Sequence, residues 1–387
     1  MARGPLADLR VLDLSRVLAG PFAGRLLADL GAEVVKVEPP EGDVTRVWGK
    51  VTAKLSGYFT QQNVGKLDIC VDLRQDGGPA LVRQLASRAD ILIENFRPGV
   101  LAQYGLAYAN LSSDNPRLLM LSISGYGQRG PESGRPAYAA VVHAESGLVH
   151  RQAAIDHAPP VDPHISLADT NAGLHGLVGI LAALHERERS GRGQHLDVCM
   201  LDAMLATDDQ IHLALDDLPM RHNMVNEVWE VAFGQIVIAG DFRWVFRQLN
   251  ERCDVADPTP PGAPLEEKIR LRHEAVRAFL RSLPDRASLA AALEHAELAW
   301  GEVRSSQAAL ASPTAVARGS VVNVDDRAGS TRRVIQSPYR FSSSDSGVSG
   351  VAPHRGEHNR DVLTRWLGMR DAEIAELERR GVLLRDE

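Results

Sequence analysis

Residues 10–38, RVLDLSRVLAGPFAGRLLADLGAEVVKVE, decide the fold class of this chain. Arg10 to Leu14 is typical of a short apolar strand, Pro21 to Leu30 of a helix that ends at Gly31, and Ala32 to Glu38 of a second strand. This order predicts a β-α-β unit, in which the helix returns the chain so that the two strands run parallel.

The same alternation continues beyond this unit. Residues 66–73, 89–94 and 117–124 have the composition of strands, and residues 78–88 have the periodicity of a helix. Strands separated by helices of this length predict an α/β fold with a parallel, doubly wound sheet.

The next part of the chain changes character. Residues 133–163 gather Pro, Gly and His and predict a long irregular connection. Asp169 then opens the most regular helix of the chain, whose apolar face carries Leu174, Leu177, Val178, Leu181 and Leu184.

The residue pattern over 201–328 differs from the strand–helix alternation before it, which predicts a second, smaller α+β domain. It opens with a helix expected over Leu201 to Leu215 and includes a Pro-rich surface stretch, 254–263. Helix-rich sequence follows over 265–311.

The charge balance limits the classes of partner. The 387 residues include 43 Lys and Arg against 50 Asp and Glu, a net charge of −7, so no basic field attracts nucleic acid or an anionic bilayer.

The apolar run Leu174 to Leu184 is shorter than the roughly 20 residues of a membrane span. No signal peptide is evident, and the 3 cysteines are too widely spaced for a disulfide framework. We predict a soluble cytoplasmic protein without membrane or nucleic-acid partners, which holds any anionic ligand by local groups.

Two histidine patterns invite a metal hypothesis, and neither predicts a metal site. Residues 354–358, HRGEH, match a zinc-peptidase pattern that requires a helix, but Pro353 and Gly356 disfavour a helix there. The second pattern repeats every seven residues, but the prolines within it exclude one continuous helix with a shared face. Its members are His143, His150, His157 and His164.

Residues 95–99, NFRPG, follow an apolar strand and predict an anion site at the carboxyl end of the sheet. Phe96 suits a nucleotide, and Lys66, Arg74 and Arg97 are candidate cations for phosphates. An ordinary turn with solvated cations is the alternative. Residues 18–24, LAGPFAG, lie where a nucleotide-binding fold places phosphate, but they lack the GxGxxG fingerprint, which also weakens Glu38 as a ribose-binding acid.

Asp169 is the candidate catalytic carboxylate, because it lies at or near the N-cap of the long apolar helix. The alternative is a plain capping aspartate. In the functional interpretation the helix dipole holds the carboxylate ionised, and Gly173 and Gly176 let a ligand approach closely. A carboxylate in that position can attack an activated acyl group.

Together these segments resemble the class III CoA-transferase family, which includes formyl-CoA transferase, carnitine CoA-transferase and α-methylacyl-CoA racemase. The resemblance covers nearly the whole chain and is weakest over about 205–320. Besides the Asp169 helix it rests on VLDL (11–14) with AGP (19–21), LGAEVVKVE (30–38), ENFRPG (94–99), SGYG (124–127), GRGQ (191–194) and GEH (356–358).

The resemblance implies a fold, a quaternary structure and a chemistry. The fold is a large Rossmann-like domain, residues 1–200 plus 329–387, with a small domain, 201–328, in an interlocked homodimer. The substrates are an acyl-CoA thioester and a carboxylic acid, with coenzyme A as the group transferred and no metal. Asp169 attacks the donor thioester to give a mixed anhydride, CoA thiolate forms an aspartyl-CoA thioester, and the acceptor carboxylate then takes the CoA.

The family's contact positions carry over in part. Tyr138 is implied as a second catalytic residue. The positions implied for CoA binding are Leu18, Ala19, Val71, Arg74, Asn95, Phe96, Arg97 and Gln103. Leu18, Gln103 and Ala139 depart from formyl-CoA transferase, which has Gln, a basic and an acidic residue there, and its glycine-rich loop has no counterpart. Oxalate and formate are therefore doubtful substrates, and a less polar acyl pocket is the hypothesis.

Two other functions stay open at this point. In the racemase branch a His-Asp pair stands near Tyr138 and Ala139, so Tyr138 favours transfer over racemisation, while His143 and Glu145 keep the racemase alternative. A non-catalytic CoA-binding protein is the third candidate. Glu227, in the segment 224–229, is a surface residue or a residue of the acyl site.

Overall fold

The computed structural model describes residues 4–218 and 226–386 of the chain. Its strands, in chain order, are β1 (Arg10–Asp13), β2 (Glu33–Glu38), β3 (Val51–Thr52), β4 (Leu55–Ser56), β5 (Leu67–Val71), β6 (Ile91–Glu94), β7 (Leu119–Ser124), β8 (His195–Cys199), β9 (Glu227–Val231), β10 (Gly234–Ile238), β11 (Trp300–Glu302), β12 (Val321–Asp325), β13 (Thr331–Ile335) and β14 (Leu383–Leu384).

The helices, in chain order, are α1 (Ala19–Asp29), α2 (Gly57–Asn63), α3 (Gly78–Ala86), α4 (Val100–Gln103), α5 (Tyr108–Asp114), α6 (Ala139–Glu145), α7 (Leu148–Asp156), α8 (Leu167–Ser190), α9 (Met200–Thr207), α10 (Ile211–Leu215), α11 (Phe242–Cys253), α12 (Leu265–Ser282), α13 (Arg286–His295), α14 (Ser306–Leu310), α15 (Pro313–Ala317), α16 (Asn359–Leu367) and α17 (Asp371–Arg379). A short 3-10 turn, Val44–Val47, follows β2.

The described chain divides into two compact units. The first runs to Asp216 and resumes at Val316, and the second lies between Asp217 and Ala315. These limits are narrower than the predicted 201–328, because α9 packs along α8 and Thr207 accepts a hydrogen bond from Asn171 at 2.8 Å. The division into folding domains stays a prediction.

The first unit is built on one central sheet. Within the described residues it has seven strands in the order β14-β5-β2-β1-β6-β7-β8, all parallel except β14, which pairs antiparallel with β5 at the edge. The predicted mixed α/β class with a mostly parallel central sheet is confirmed.

Both faces of this sheet are buried, as parallel sheets require. Val11 and Val34 point to the face covered by α1, α6, α8 and α9. Their neighbours Leu12 and Val35 point to the face covered by α3, α5, α16 and α17. The near-continuous apolar runs of these strands follow from burial on both sides.

The chain reverses its direction of progress across the sheet at β1. From β1 it moves to β2 on one side, and it later returns to place β6 on the other side of β1. Loops after β1 and β6 therefore diverge at the carboxyl ends of these strands, where open α/β sheets bind ligands.

Three local predictions were wrong or incomplete. The stretch 133–163 contains α6 and α7, separated by Gly147 at φ +86°, so the abundance of Pro and Gly concealed two short helices. The helix predicted over Leu201 to Leu215 is broken at Asp208 into α9 and α10. Helix α8 begins at Leu167, which makes Asp169 its third residue rather than its first.

Helix α8 is longer than the apolar run that predicted it. Over its 24 residues it is, by length and composition alone, long and apolar enough to cross a membrane, a test that core helices also pass. One side packs on α1 and the sheet, with Ile180 and Ala172 fully buried. The opposite side exposes apolar residues, including Val178 with 63% of its surface accessible.

The second unit has its own small sheet and core. Its described strands form an antiparallel sheet in the order β11-β10-β9, covered by α11, α12 and α13. Glu227 opens β9 and lies 3.2 Å from the Nδ1 of His273. Met224 and Val225, from the segment singled out in the sequence, lie outside the described residues.

Candidate active site

Three helices of the first unit begin around the carboxylate of Asp169. Ala19 is the first residue of α1, Ala139 is the first residue of α6, and Asp169 lies in the first turn of α8. The backbone N–H groups of Ala19 and Ala139 both stabilise the charged form of the Asp169 carboxylate. The positive ends of three helix dipoles therefore converge on one side chain.

These N–H groups are available because the first residues of a helix have no acceptor within the helix, and neither helix has a side-chain cap. The N-cap of α1 is Leu18, whose side chain has no oxygen to accept a hydrogen bond. The N-cap of α6 is Tyr138, whose side chain makes no capping hydrogen bond within the described part of the chain. The first N–H groups of a helix have no acceptor within the helix, and here the Asp169 carboxylate accepts hydrogen bonds from them.

Burial nevertheless raises the pKa of Asp169 to about 6, because desolvation outweighs the N–H groups and the nearby His143. The prediction of a carboxylate held ionised by the helix dipole is thus only partly right. Asp169 is mostly ionised at neutral pH, but its pKa lies above the ordinary value rather than below it.

His143 holds the start of α8 in place. Its ring is buried, its Nε2 accepts a hydrogen bond from the Ala168 N–H at 3.1 Å, and its Nδ1 lies 2.8 Å from Asp162 Oδ1. Accepting at Nε2 leaves Nδ1 as the donor to Asp162. Both ring nitrogens are engaged, and Glu145 is paired with Arg135 at 2.6 Å. Neither residue has the free position that a racemase base requires.

Asp169 opens into a small cavity of about 130 Å³. It lies at the point where the loops after β1 and β6 diverge. Its walls include Ala19, Asn95, Phe96, Arg97 and Tyr138, and the Tyr138 side chain is 67% exposed. Sequence reasoning missed two further cations on this wall, Arg16 and Arg135.

A larger cavity of about 500 Å³ adjoins the small one. It lies at the carboxyl ends of β1, β2 and β5, and Arg16 and Phe96 line both cavities. The larger cavity also contains Val71 and Arg74. Together the two cavities suit an elongated ligand whose reactive end reaches Asp169.

The implied CoA-binding residues do not all line this groove. Val71, Arg74, Ala19, Asn95, Phe96 and Arg97 do, as stated above. Leu18 is buried and Gln103 is exposed on α4, and neither residue lines either cavity. Arg74 is already paired with Glu41 and Asp72, each at 2.8 Å.

Lys66 and Glu38, which the sequence analysis considered for ligand binding, are both engaged in buried ion pairs. The Lys66 ammonium is fully buried and lies 2.8 Å from Asp13 Oδ2, 2.9 Å from the Pro21 carbonyl oxygen and 2.9 Å from Asn63 Oδ1, so it is no phosphate ligand. Glu38 is buried in a two-point ion pair with Arg46 at 2.7 and 2.9 Å, so it is not a ribose-binding acid.

The HRGEH segment is a loop before α16, as its Pro and Gly predicted. His358 Nδ1 accepts a hydrogen bond from the Asp68 N–H at 3.1 Å, and Glu357 pairs with Arg327 at 2.5 Å. Within residues 4–218 and 226–386, no group of three or more His, Cys, Asp or Glu side chains is arranged to hold a metal ion.

The chain is similar to known CoA-transferases over nearly its whole length. The family model described as CoA-transferase family III matches residues 6–359. A succinyl-CoA–D-citramalate CoA-transferase of Chloroflexus aurantiacus is 31% identical, with 98% of each chain covered. A succinate–glutarate CoA-transferase of Agrobacterium fabrum is 34% identical over 93% of this chain and 95% of its own.

A solved structure shares the fold. The crystal structure of a CAIB/BAIF family protein from Brucella suis superposes with a TM-score of 0.79 at 30% identity. The match covers 94% of this chain and 100% of that chain.

Proposed function

The chain belongs to CoA-transferase family III, and from that premise we propose that it transfers CoA between carboxylic acids through a covalent intermediate on Asp169. It is an enzyme of the class III CoA-transferases. The observation that carries the proposed intermediate is the convergence of three helix N-termini on the half-buried Asp169 carboxylate, at the end of a groove formed by the two adjoining cavities.

The chemistry begins with the ionised carboxylate. An Asp169 oxygen attacks the thioester carbonyl of the donor, the C–S bond breaks, and CoA thiolate leaves a mixed anhydride. The thiolate then attacks the aspartyl carbonyl, the C–O bond breaks, and the donor acid departs with an oxygen from Asp169. The acceptor carboxylate repeats these steps in reverse order. No step requires a net proton transfer, so Asp169 must be ionised at the start.

The Ala19 and Ala139 N–H groups have a second role in these reaction steps. Each addition places negative charge on a carbonyl oxygen next to Asp169, where preorganised N–H donors stabilise it. We place the nucleotide end of CoA in the larger cavity with Arg74, and the thioester between Phe96 and Asp169. Arg97 is assigned to a phosphate, and Tyr138 contacts the acyl group.

Succinyl-CoA is the donor to test first. Two relatives are named for succinyl-CoA or succinate. In this chain Arg16 and Arg97 line the Asp169 cavity and, among the described residues, neither guanidinium has a carboxylate partner. An acyl group with a second carboxylate would supply one. Racemisation is not proposed, because His143 and Glu145 are already engaged as described.

The direct test follows an oxygen atom. In the proposed reaction, an acceptor acid labelled with ¹⁸O leaves one oxygen of its carboxylate on Asp169. We expect mass spectrometry of the peptide containing Asp169 to show this label after a few turnovers with succinyl-CoA and the acceptor. Borohydride added during turnover should also reduce the activated aspartyl group. Transfer that leaves Asp169 without label and without reduction contradicts the proposal.

The quaternary structure is a further part of the proposal. We infer that two copies form an interlocked homodimer, each with a Rossmann-like large domain, and that the enzyme acts in the cytoplasm. The support in this chain is the exposed apolar face of α8, where Leu174, Val178 and Leu181 are 42%, 63% and 39% accessible.

A charge on that face should weaken the dimer. We expect Val178→Glu to shift the mass measured by light scattering after gel filtration toward a single chain, because a buried unpaired carboxylate is costly at an apolar interface. Gln84→Glu is the control and should remain dimeric, because Gln84 is an exposed polar residue of α3, which covers the opposite face of the sheet. A monomeric wild-type protein, or a Val178→Glu dimer of undiminished stability, contradicts this assignment.

A further inference from the structure

Val17 has an unusual backbone conformation beside the candidate active site. Its φ is +68°, in the left-handed region that β-branched residues avoid, and it lines the cavity that contains Asp169. Such a conformation is strained for valine and persists only where the surroundings impose it. The loop between β1 and α1 is therefore held by something stronger than its own preference.

Three side chains hold the backbone of this loop. Asn95 accepts a hydrogen bond from the Arg16 N–H at 2.9 Å and donates one to the Arg16 carbonyl oxygen at 2.8 Å. Asp43 accepts from the Val17 N–H at 3.2 Å, and the buried Lys36 donates to the Ser15 carbonyl oxygen at 2.8 Å. Asp43 and Lys36 are themselves an ion pair at 3.1 Å, with both side chains about 1% exposed. We call Asn95, Asp43 and Lys36 the loop clamp.

The loop clamp lies immediately before the first N–H group that reaches Asp169. Only Leu18, which cannot cap the helix, separates Val17 from Ala19. The start of α1 is also close against α8, since a Cβ on Gly173 would lie 2.8 Å from the Ala19 carbonyl oxygen. A small change in the direction of the loop therefore moves the Ala19 N–H relative to Asp169.

We propose that Asn95 is a positioning residue, which fixes the strained loop so that the Ala19 N–H faces the reacting carboxyl group of Asp169. This inference rests on the proposed role of Asp169. It changes the assignment of Asn95, since the resemblance implied a contact to CoA, while here its amide oxygen and nitrogen both bind the backbone of Arg16. Asp43 and Lys36 act in the same way on the residues to either side.

Other charged or titratable groups face Asp169 and must be considered in any pH experiment. His143 faces it from α6, and Arg16, Arg97 and Arg135 lie on the loops around the cavity. Tyr58 faces it from α2, where burial and the charges of Asp169 and Asp43 raise the pKa of Tyr58 to about 12. A neutral substitution at Asn95 adds no charge to this set, which is why Asn95→Ala is preferred to Asn95→Asp.

Kinetics of Asn95→Ala with a succinyl-CoA donor test the inference. We expect kcat to fall by roughly 10- to 100-fold, the order expected when a reacting group is misplaced by about 1 Å. The KM for the donor should change little. The acid limb of the kcat/KM profile should move to higher pH, because losing the Ala19 N–H leaves ionised Asp169 less stabilised. A simple CoA contact would instead raise KM and leave the pH limb in place, and that outcome overturns the inference.

A second variant separates positioning from general damage. Glycine adopts the left-handed conformation without the cost that valine incurs. In the Asn95→Ala background, Val17→Gly should therefore restore part of the lost kcat, whereas a protein that is merely misfolded would lose more. Oxygen labelling of Asp169 in the wild type is measured in parallel. If Asp169 is labelled and Asn95→Ala has an unchanged kcat and pH limb, this inference fails while the proposed function stands.

Discussion

Asp169→Asn will abolish CoA transfer while making the folded protein more stable at neutral pH. The amide cannot attack a thioester, so kcat should fall by at least about 10⁴-fold, as for other nucleophile replacements. Substrate binding should survive, because the groove is unchanged. Acyl-CoA titration followed by a coupled transfer assay measures both quantities, and mass spectrometry must exclude reversion of the new Asn to Asp.

The stability gain follows from the pKa of Asp169, which burial raises from 3.8 to about 6. Between these values the folded state binds more protons at Asp169 than the unfolded state, so the contribution of Asp169 to stability is fully present below pH 3.8 and is lost as the pH rises through 6. The loss above pH 6 is on the order of 2–3 kcal/mol. Asn removes this charge, and Tm at pH 8 should rise by about 3–6 °C.

The pH dependence distinguishes this mechanism from a general packing effect. The difference in Tm between Asp169→Asn and wild type should be large at pH 8 and small at pH 4.5. Asp8→Asn, at an exposed position near the start of the chain, should show no such difference at either pH. Equal Tm for Asp169→Asn and wild type at pH 8 would exclude the desolvated carboxylate described above.

Lys66→Met will be the most destabilising of the single substitutions discussed. Removing the fully buried ammonium leaves the Asp13 carboxylate without its partner at 2.8 Å in the core of the first unit. Breaking such a pair from one side costs about 3–5 kcal/mol. The midpoint of urea unfolding of the first unit, followed by circular dichroism, should fall accordingly.

The double substitution Asp13→Asn with Lys66→Met is the matched control. Replacing both members removes the unpaired charge, so the double variant should recover much of the loss. If Lys66→Met alone costs less than about 1 kcal/mol, or if the double variant is no better, then the pair is not the source of stability.

The central sheet was predictable because its strands are buried on both faces. Because both faces are buried, these strands are short, near-continuous apolar runs such as 10–14 and 89–94. Segments with helical periodicity separate them, so the pattern can be recognised in a single sequence. Helices α6 and α7 were not predictable, because they are short and lie among Pro and Gly residues.

The candidate site was predictable only in part. The position of Asp169 near a helix start is a local signal, but the convergence of α1 and α6 on it joins residues 19, 139 and 169, which no local pattern connects. Lys66 was misassigned because a lysine in a sequence does not reveal its burial. The loop clamp was missed for the same reason, since it unites residues distant in the chain that only the sheet brings together.

The position of β14 at the sheet edge determines when the first unit can finish folding during synthesis. The C-terminal Leu383 pairs with Val71 at the sheet edge, and Trp366 and Ile374 of the last helices cover one face of the sheet. During synthesis, therefore, the edge of β5 and this apolar sheet face stay uncovered until residues 359–384 have been made. A nascent chain stalled before residue 359 would present both to chaperones, while the second unit would already be complete.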